Sequence, residues 1–429
     1  MADNEAWDDV CEIVGTDDFF HPNHRLLFSA MATLVESRQP MDALTLAESL
    51  NEGDMIQVGG LGPLINMITD APIINNVRAY AEIVRDKAII RKIHAVGQDI
   101  MQMAAQSGES PQELLDQAES LVYAISDSGD HGEGPVHMDA LLSSTMSHID
   151  MLCETEGGIT GISTGFTELD SITTGLKPGN LVIVAGRPAM GKSALMMNMA
   201  EAALLDDVGC VPVFSLEMSK NEIMLRMLAG LGRVDLGHLL SGEATPDELM
   251  RIATATGILH HKPLMIDDSG YLTPALIRAR CRRIARQHGK LAMIVVDYLQ
   301  LMTVPGKGDN KQQEVSEISR QLKALAKEFK CPVVAGSQLN RGLEARTDKR
   351  PLMSDLRESG AIEQDADLVL GLYRDEVYHA QTPDRGIAEV LILKQRNGPI
   401  GRKKLAFLGH YTRFEDCVPD AYSEYGREF

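Results

Sequence analysis

The sequence has 429 residues, a formal net charge of −20 at pH 7 and 44% hydrophobic residues, enough apolar material for two or three domains with sizeable cores. The acidic balance argues against a generally basic nucleic-acid binder but leaves room for a locally positive channel. The six cysteines are scattered and form no C-x-x-C pair, so neither a zinc site nor a disulfide framework is predicted. No apolar run approaches a membrane span, and the acidic N-terminus lacks a signal-peptide pattern. We therefore expect a cytoplasmic protein with reduced thiols and no membrane partner.

Residues 1–126 predict a small all-α N-terminal domain. Apolar positions at helical spacing predict helices at 24–34, 43–50, 76–103 and 111–125, with a glycine-rich loop at 59–62. His21, His24 and His94 share no metal-ligand spacing, so we interpret them as surface or packing residues.

Residues 127–160 predict a linker that contains one helix. The segment 126–134 is small, polar and glycine-rich, and 155–161 is a second flexible break. Between them, residues 136–153 have the apolar periodicity of an amphipathic helix. Such a helix either packs back on its own domain or docks on a neighbouring subunit, and the sequence leaves both open.

Residues 161–429 predict an α/β domain. Several strands are apolar throughout, as expected for strands buried on both faces of a mainly parallel sheet. The predicted strands are 181–185, 211–216, 263–266, 292–297, 332–337, 368–372, 389–393 and 404–408.

The segment GRPAMGKS, residues 186–193, fits the phosphate-binding loop G-x-x-x-x-G-K-[ST] between an apolar strand and a helix. Gly186 and Gly191 allow the backbone to wrap an anion, and the helix start adds its dipole. Lys192 is expected on the β- and γ-phosphates and Ser193 on Mg²⁺. The expected nucleotide contacts are Gly186, Arg187, Met190, Gly191, Lys192, Ser193 and Ala194.

Polar residues at three other strand ends complete a candidate hydrolysis site. Asp297 ends an apolar strand in the Walker B pattern and would support Mg²⁺. Glu217 follows the strand after the P-loop helix and is either a general base for water or a helix-start glutamate. Gln338 ends a further strand, where it could sense the γ-phosphate.

Basic segments suggest contacts with a phosphate backbone and a neighbouring nucleotide. The segments 306–311 and 341–357 carry basic residues that are either a nucleic-acid surface or solvated charge. Lys394 and Arg396 precede an Asn-Gly turn, where they could present an arginine finger or form an ordinary exposed hairpin.

Taken together, five segments resemble the DnaB family of bacterial replicative DNA helicases, and the likeness extends from residue 7 to residue 414. The segments are GRPAMGKS, FSLEM, IVVDYLQLM, the run from SQLNR to YRDE (337–376), and LKQRNGPIG. The region 7–50 is also similar to the family's helical N-terminal domain.

The resemblance implies RecA-like motor domains in a homohexameric ring that hydrolyses ATP with Mg²⁺, moves 5′ to 3′ on single-stranded DNA and unwinds forked duplex. It implies that Glu217 is the catalytic base, that Gln338 senses the γ-phosphate, and that Lys394 and Arg396 reach the neighbouring subunit's nucleotide. It further implies that Arg357, Glu358 and Gly360 form the DNA-backbone loop. The helix at 136–153 would dock on the adjacent subunit, and a primase and a helicase loader would be partners.

Family members usually begin several tens of residues before the Trp7 region. We therefore expect a shortened N-terminus, as in a phage- or prophage-encoded version or a truncated start, with an altered N-terminal collar. Two other readings are a RecA-like recombinase that forms filaments on DNA and a nucleotide-binding regulator without motor activity. The four residues Lys192, Glu217, Asp297 and Arg396 argue against the regulator.

Overall fold

The computed structural model describes residues 6–37, 39–69, 76–105, 158–304 and 311–417, together with isolated helical residues between 114 and 150. The chain divides into two compact units, Met1–Thr145 and Met146–Phe429. The predicted linker at 127–160 lies largely outside the described residues, so its bounds stay a prediction.

The first unit is helical where it is described, as predicted. Its helices are α1 (Trp7–Cys11), α2 (Pro22–Glu36), α3 (Ala43–Ser49), α4 (Glu52–Val58), α5 (Leu61–Thr69) and α6 (Val77–Ala105), with a 3-10 turn at Thr16–Asp18. Leu27, Leu34, Leu46 and Leu64 are almost fully buried and form its core. The apolar spacing read from the sequence therefore marks the inward faces of these helices.

The glycine-rich segment 59–62 is only partly the loop that we expected. Gly59 and Gly60 have φ angles of 89° and 84° and separate α4 from α5, a conformation that glycine adopts without strain. Gly62, however, lies inside α5, so the loop prediction is wrong there. The predicted helix at 111–125 lies largely outside the described residues; those described within it are helical.

The second unit is built on one nine-stranded sheet. Its strands are β1 (Leu181–Gly186), β2 (Val211–Ser215), β3 (Leu264–Asp267), β4 (Ile294–Asp297), β5 (Val333–Gln338), β6 (Leu368–Tyr373), β7 (Ile387–Gln395), β8 (Gly401–Leu408) and β9 (Arg413–Asp416). The order is β3-β2-β4-β5-β1-β6-β7-β8-β9. The first six are parallel and the last three add antiparallel pairs. All eight predicted strands are present; β9 was not predicted.

Helices cover the sheet and connect its strands. They are α7 (Thr167–Thr173), α8 (Lys192–Leu205), α9 (Lys220–Gly232), α10 (Leu236–Ser241), α11 (Pro246–Leu259), α12 (Pro274–His288), α13 (Lys311–Phe329) and α14 (Gly360–Asp365). Short 3-10 turns occupy Leu299–Leu301, Arg341–Ala345, Met353–Ser359, Asp375–Val377 and Gly409–Tyr411. No helix among the described residues is long and apolar enough to cross a membrane.

Two hydrophobic cores enclose the sheet. On β1, Val182 and Val184 belong to the core that includes α8 residues, whereas Leu181 and Ile183 belong to the core that includes α13 residues. Successive side chains of a strand point to opposite faces, so burial on both faces requires an apolar residue at every position. The continuous apolar runs in the sequence thus have the expected cause, and the predicted α/β fold class is confirmed.

Candidate nucleotide-hydrolysis site

Four adjacent parallel strands bring the predicted catalytic residues to one edge of the sheet. In the order β2-β4-β5-β1, the register pairs Ser215 with Asp297 and Gly186 with Gln338 at the carboxyl ends of these strands. Glu217 follows β2 directly. Ligands of open α/β sheets bind at this edge, so the fold gathers residues that are more than 150 positions apart in the sequence.

The phosphate loop has the backbone that an anion cradle needs. Gly191 is the N-cap of α8 with φ 97°, and Ala189 also has a positive φ, of 66°. A Cβ atom on Gly191 would lie 2.9 Å from Cζ of Phe414, so both backbone conformation and space require glycine there. Lys192 and Ser193 begin α8, so the positive end of its dipole faces the loop.

Burial and nearby carboxylates have opposite effects on the Lys192 ammonium group. Its Nζ is 4.8 Å from the ring centroid of Tyr298. Burial lowers the pKa of Lys192, while the nearby carboxylates of Asp297 and Glu217 act in the opposite direction. The same two carboxylates, with burial, raise the pKa of Tyr298. A phosphate that arrives beside this lysine would meet a cation that is partly desolvated and therefore weakly screened.

The oxygen atoms of Ser193 and Asp297 fit a magnesium ion. Ser193 Oγ donates a hydrogen bond of 2.5 Å to Asp297 Oδ2. Asp297 Oδ1 is buried and has no hydrogen-bond partner among the described residues. Hydroxyl and carboxylate oxygens are the ligands that Mg²⁺ prefers, and a buried carboxylate oxygen without a partner is costly unless a cation or water completes it.

Glu217 is exposed at the end of a braced turn beside Asp297. Ser215 Oγ donates to the carbonyl of Met218 at 2.8 Å and accepts from its amide at 3.0 Å, which closes the turn that carries Glu217. The amide of Leu216 donates to the carbonyl of Asp297 at 2.8 Å. The turn that carries Glu217 is therefore fixed to the strand that carries Asp297.

Gln338 ends β5 between the phosphate loop and the Walker B strand. The amide of Leu339 donates to the carbonyl of Gly186 at 3.4 Å, which continues the ladder with β1. On the other side, the side chain of Gln300 contacts the backbone of Gln338. The role of Gln300 was not predicted from the sequence.

Two predicted nucleotide contacts have their side chains engaged elsewhere. Met190 is 1% exposed and packs in the core beneath the loop, so only its backbone is available to a phosphate. The Arg187 guanidinium donates to the carbonyl of Leu339 at 2.9 Å and pairs with Glu344 at 2.7 Å. Contact of Met190 with the nucleotide through its backbone therefore stays a prediction, whereas the Arg187 side chain acts as a brace between the loop and the segment after Gln338.

An arginine and an aromatic ring beside the P-loop were also missed from the sequence. The Arg374 guanidinium donates to the carbonyl of Ala189 at 3.0 Å and lies 3.8 Å from the ring centroid of Phe407. Phe407 in turn contacts Phe414, with centroids 4.7 Å apart. Phe414 is buried, so these rings support Arg374, and Arg374 in turn holds the phosphate loop at Ala189.

Lys394 and Arg396 lie near the amino-terminal ends of the parallel strands, whereas the phosphate loop follows the carboxyl-terminal end of β1. Lys394 donates to the carbonyls of Glu363 and Ala366, each at 2.6 Å, at the end of α14. The Arg396 side chain is half exposed and lies 3.3 Å from Asp367 Oδ1. Burial lowers the pKa of Lys394, and the Arg396 cation adds to that effect.

The predicted DNA loop lies in the chain segment after Gln338. Arg357 and Glu358 lie in the 3-10 turn Met353–Ser359, and an exposed Gly360 begins α14; the side chains of Arg357 and Glu358 lie outside the described part of the structure. The amide of Asn340, two residues after Gln338, donates to the carbonyl of Asp355 at 3.1 Å. The loop backbone is thus tied to the nucleotide edge.

A phosphate loop after β1, carboxylates at the ends of β2 and β4, and a glutamine at the end of β5 of such a sheet define a RecA-like P-loop NTPase. The model of the DnaB-like helicase C terminal domain matches residues 161–416, and that of the DnaB-like helicase N terminal domain matches residues 1–86. The chain belongs to the DnaB family of replicative DNA helicases, which are ATP-dependent enzymes, and the predicted family is confirmed.

Relatives of known function agree over nearly the whole chain. The replicative DNA helicase DnaB of Pasteurella multocida is 47% identical over 96% of this chain and 90% of its own length. The replicative DNA helicase DnaC of Bacillus subtilis is 40% identical over 94% and 89%, respectively. The comparisons favour the replicative helicase over the recombinase alternative.

Solved structures agree as well. A DnaB-like replicative helicase, described with its interactions with primase, superposes with a TM-score of 0.74 at 29% identity over 97% of this chain and the whole of its own. The ATPase domain of G40P gives a TM-score of 0.63 at 35% identity over 67% of this chain and all of that domain.

Proposed function

We propose that this helicase works as a homohexameric ring that hydrolyses ATP to move 5′ to 3′ on single-stranded DNA and to unwind duplex at a fork. The family supplies the activity class. Lys394 lies in β7 and Arg396 directly after it, both away from the phosphate loop. This placement supports the ring, because the hydrolysis site of one chain then lacks its own finger.

The proposal of a shared site rests on the register of strand pairing across β1, β6 and β7. Gln395, between Lys394 and Arg396, pairs with Leu368, and Leu368 pairs with Val182 near the start of β1. The phosphate loop follows the other end of β1, about 13 Å further along the strand. The finger residues therefore lie at the edge away from their own nucleotide site, a placement that suits action on a neighbour's phosphates.

The nucleotide-site residues divide the work as their positions suggest. Backbone amides of the loop and Lys192 bind the phosphates, and Ser193 and Asp297 hold Mg²⁺, which would neutralise charge on the β- and γ-phosphates. Glu217 accepts the proton of the attacking water. Gln338 contacts the γ-phosphate, and Arg374 braces the phosphate loop at the carbonyl of Ala189.

The remaining proposals concern DNA, protein partners and location. Arg357, Glu358 and Gly360 contact the DNA backbone, so that hydrolysis moves the strand. Apolar residues of the 136–153 segment, including Met138, Met146 and Ile149, are exposed within this chain, which supports docking of that helix on the adjacent subunit. We further propose a cytoplasmic location and interactions with a primase and a helicase loader.

A mixing experiment tests the shared site. Lys192→Ala and Arg396→Ala chains should each be inactive, the first without phosphate binding and the second without transition-state stabilisation. When the two are mixed and allowed to exchange subunits, Lys192→Ala chains lend intact fingers to Arg396→Ala chains. Roughly a quarter of the interfaces in a random ring then carry a complete site, so ATPase activity should reappear.

The matched control pairs the double variant Lys192→Ala/Arg396→Ala with Arg396→Ala, a mixture in which no interface has both groups. Recovery in the first mixture alone supports a finger in trans. If the first mixture stays inactive although native mass spectrometry shows mixed hexamers, the shared site is wrong. Unwinding of forks that carry only a 5′ or only a 3′ tail reports the polarity, and filament formation without unwinding would return the recombinase alternative.

A further inference from the structure

The side-chain amide of Gln300 pairs with the backbone of the residue proposed to sense the γ-phosphate. Gln300 Oε1 accepts the Gln338 amide at 3.2 Å, while Nε2 donates to the Gln338 carbonyl at 3.3 Å and to Ser337 Oγ at 2.9 Å. Ser337 is fully buried, and Gln300 and Gln338 are half-buried. One primary amide thus satisfies both backbone groups of a single residue.

The strand ladder explains why such a contact is needed. β4 pairs with β5 only as far as Val296 and Ala335, whereas β1 pairs with β5 up to Gln338. In parallel strands, the amide and carbonyl of alternate residues face opposite neighbours. Leu339 donates to Gly186 on the β1 side, so the amide and carbonyl of Gln338 face the side that β4 no longer covers. Gln300 takes the place of the missing strand, as backbone polar groups require partners.

Gln300 is also tied to the metal carboxylate through a short segment. It lies three residues after Asp297, in the 3-10 turn Leu299–Leu301. Gln338 is consequently held from two directions, by the phosphate loop through the β1 ladder and by the Walker B segment through Gln300. The distance between the carboxylate and the sensor then depends on one side chain rather than on a backbone ladder.

We propose that Gln300 is a positioning residue that fixes the Gln338 side chain at the γ-phosphate and transmits displacements of the Asp297 segment to the sensor. The inference rests on the proposed sensor role of Gln338. Gln300 would act through its contact with Gln338 rather than on the nucleotide itself. Its loss should leave nucleotide binding nearly intact and slow the step in which the γ-phosphate is transferred, because a misplaced group costs most in the transition state.

The decisive experiment compares Gln300→Met, Gln338→Ala and the double variant in ATP turnover. Methionine keeps the length and the packing of glutamine but makes none of the three hydrogen bonds. We expect Gln300→Met to lower kcat about tenfold or more with little change in KM. The double variant should turn over no more slowly than Gln338→Ala alone, because residues that act through one contact are not additive.

Gln300→Glu offers a second variant that keeps the acceptor for the Gln338 amide and loses the two donated bonds. The kcat of Gln300→Glu should lie between those of the wild type and Gln300→Met. Gln321→Met is the matched control, since among the described residues Gln321 donates to Glu317 of its own helix and makes no contact with the nucleotide edge, and its turnover should equal that of the wild type.

Two outcomes would overturn the proposal: wild-type turnover in Gln300→Met, or a double variant whose loss is the product of the two single losses. A Gln338→Ala variant with wild-type kcat would instead contradict the proposed sensor. In that case an effect of Gln300→Met would mean that the contact stabilises the Asp297 segment only. Thermal melting of each variant separates these results from unfolding.

Discussion

Gly336 passes so close to Asp297 that a Cβ atom built on it would lie 2.9 Å from the carboxylate Oδ1 and 3.1 Å from Tyr298 Cβ. The backbone of the sensor strand is therefore packed directly on the proposed metal ligand. A residue larger than glycine at position 336 would collide with the Asp297 carboxylate in its present position.

Gly336→Ala should consequently lower both turnover and stability. The added methyl group must displace Asp297, Tyr298 or Met196, a strain of about 1–3 kcal/mol in a well-packed core. The measurements are the free energy of unfolding in denaturant and the ATPase rate. Gly257→Ala is the control: Gly257 lies inside α11 with nothing within 4 Å of the built Cβ, so the variant should be as stable as the wild type or more so.

Asp297→Asn should uncouple nucleotide binding from hydrolysis. The amide is a neutral ligand, and it removes the negative charge that faces Ser193 Oγ. We expect the Mg²⁺ concentration for half-maximal activity to rise and turnover to fall by about 100-fold or more. A Mg²⁺ titration of the ATPase rate tests this against Asp206→Asn, an exposed aspartate after α8. An unchanged titration curve would remove Asp297 from the metal site.

Glu217→Gln should bind ATP as the wild type does but hydrolyse it 10²- to 10⁴-fold more slowly, roughly the range attributed to one general base. The side chain keeps its size and the Ser215 brace is untouched, so the change isolates the carboxylate. Single-turnover hydrolysis and fluorescent-nucleotide binding give the two quantities. Glu243→Gln, at an exposed position, serves as the control. A loss of binding equal to the loss of turnover would argue for a structural glutamate.

Arg357→Ala should weaken single-stranded DNA binding most at low salt. Loss of one phosphate contact reduces the slope of log affinity against log salt by about 0.7 for a single strand. Binding isotherms at several salt concentrations measure the slope. Arg286→Ala, in the last turn of α12, is the matched control. If the two variants have the same slope, Arg357 makes no phosphate contact, and DNA-stimulated ATPase activity should then be unaffected as well.

The elements that the sequence predicted well are those with a strong local cause. The phosphate loop, the eight predicted strands and Asp297 each follow from patterns within ten or so residues. Adjacency of Glu217, Asp297 and Gln338 followed from one general rule, that functional side chains gather at the carboxyl ends of parallel strands.

The features that were missed depend on contacts between distant segments. The role of Gln300 can be recognised only from the strand pairing, because β4 stops pairing with β5 before β5 ends. Arg374 and Phe407 meet because the antiparallel strands β7–β9 bring the chain back to the P-loop. β9 has four residues, too few to be recognised from its sequence pattern. Met190 fits the loop motif, yet the curvature of the loop turns its side chain into the core. In the first unit, the glycines at 59–62 suggested a loop, although α5 begins at Leu61 and includes Gly62.

The separation of the phosphate loop from Lys394 and Arg396 has a consequence for symmetry. A contact that joins one edge of the sheet to the opposite edge of the next chain is heterologous, so it repeats head to tail. A two-fold dimer would complete its sites only if a single interface contained both edges of each chain. Head-to-tail repetition closes into a ring when the rotation between chains divides a full circle and otherwise winds into a helix. If Lys394 and Arg396 act in trans as proposed, their placement favours cyclic rings or helical arrays, in which every chain has a donor side and an acceptor side.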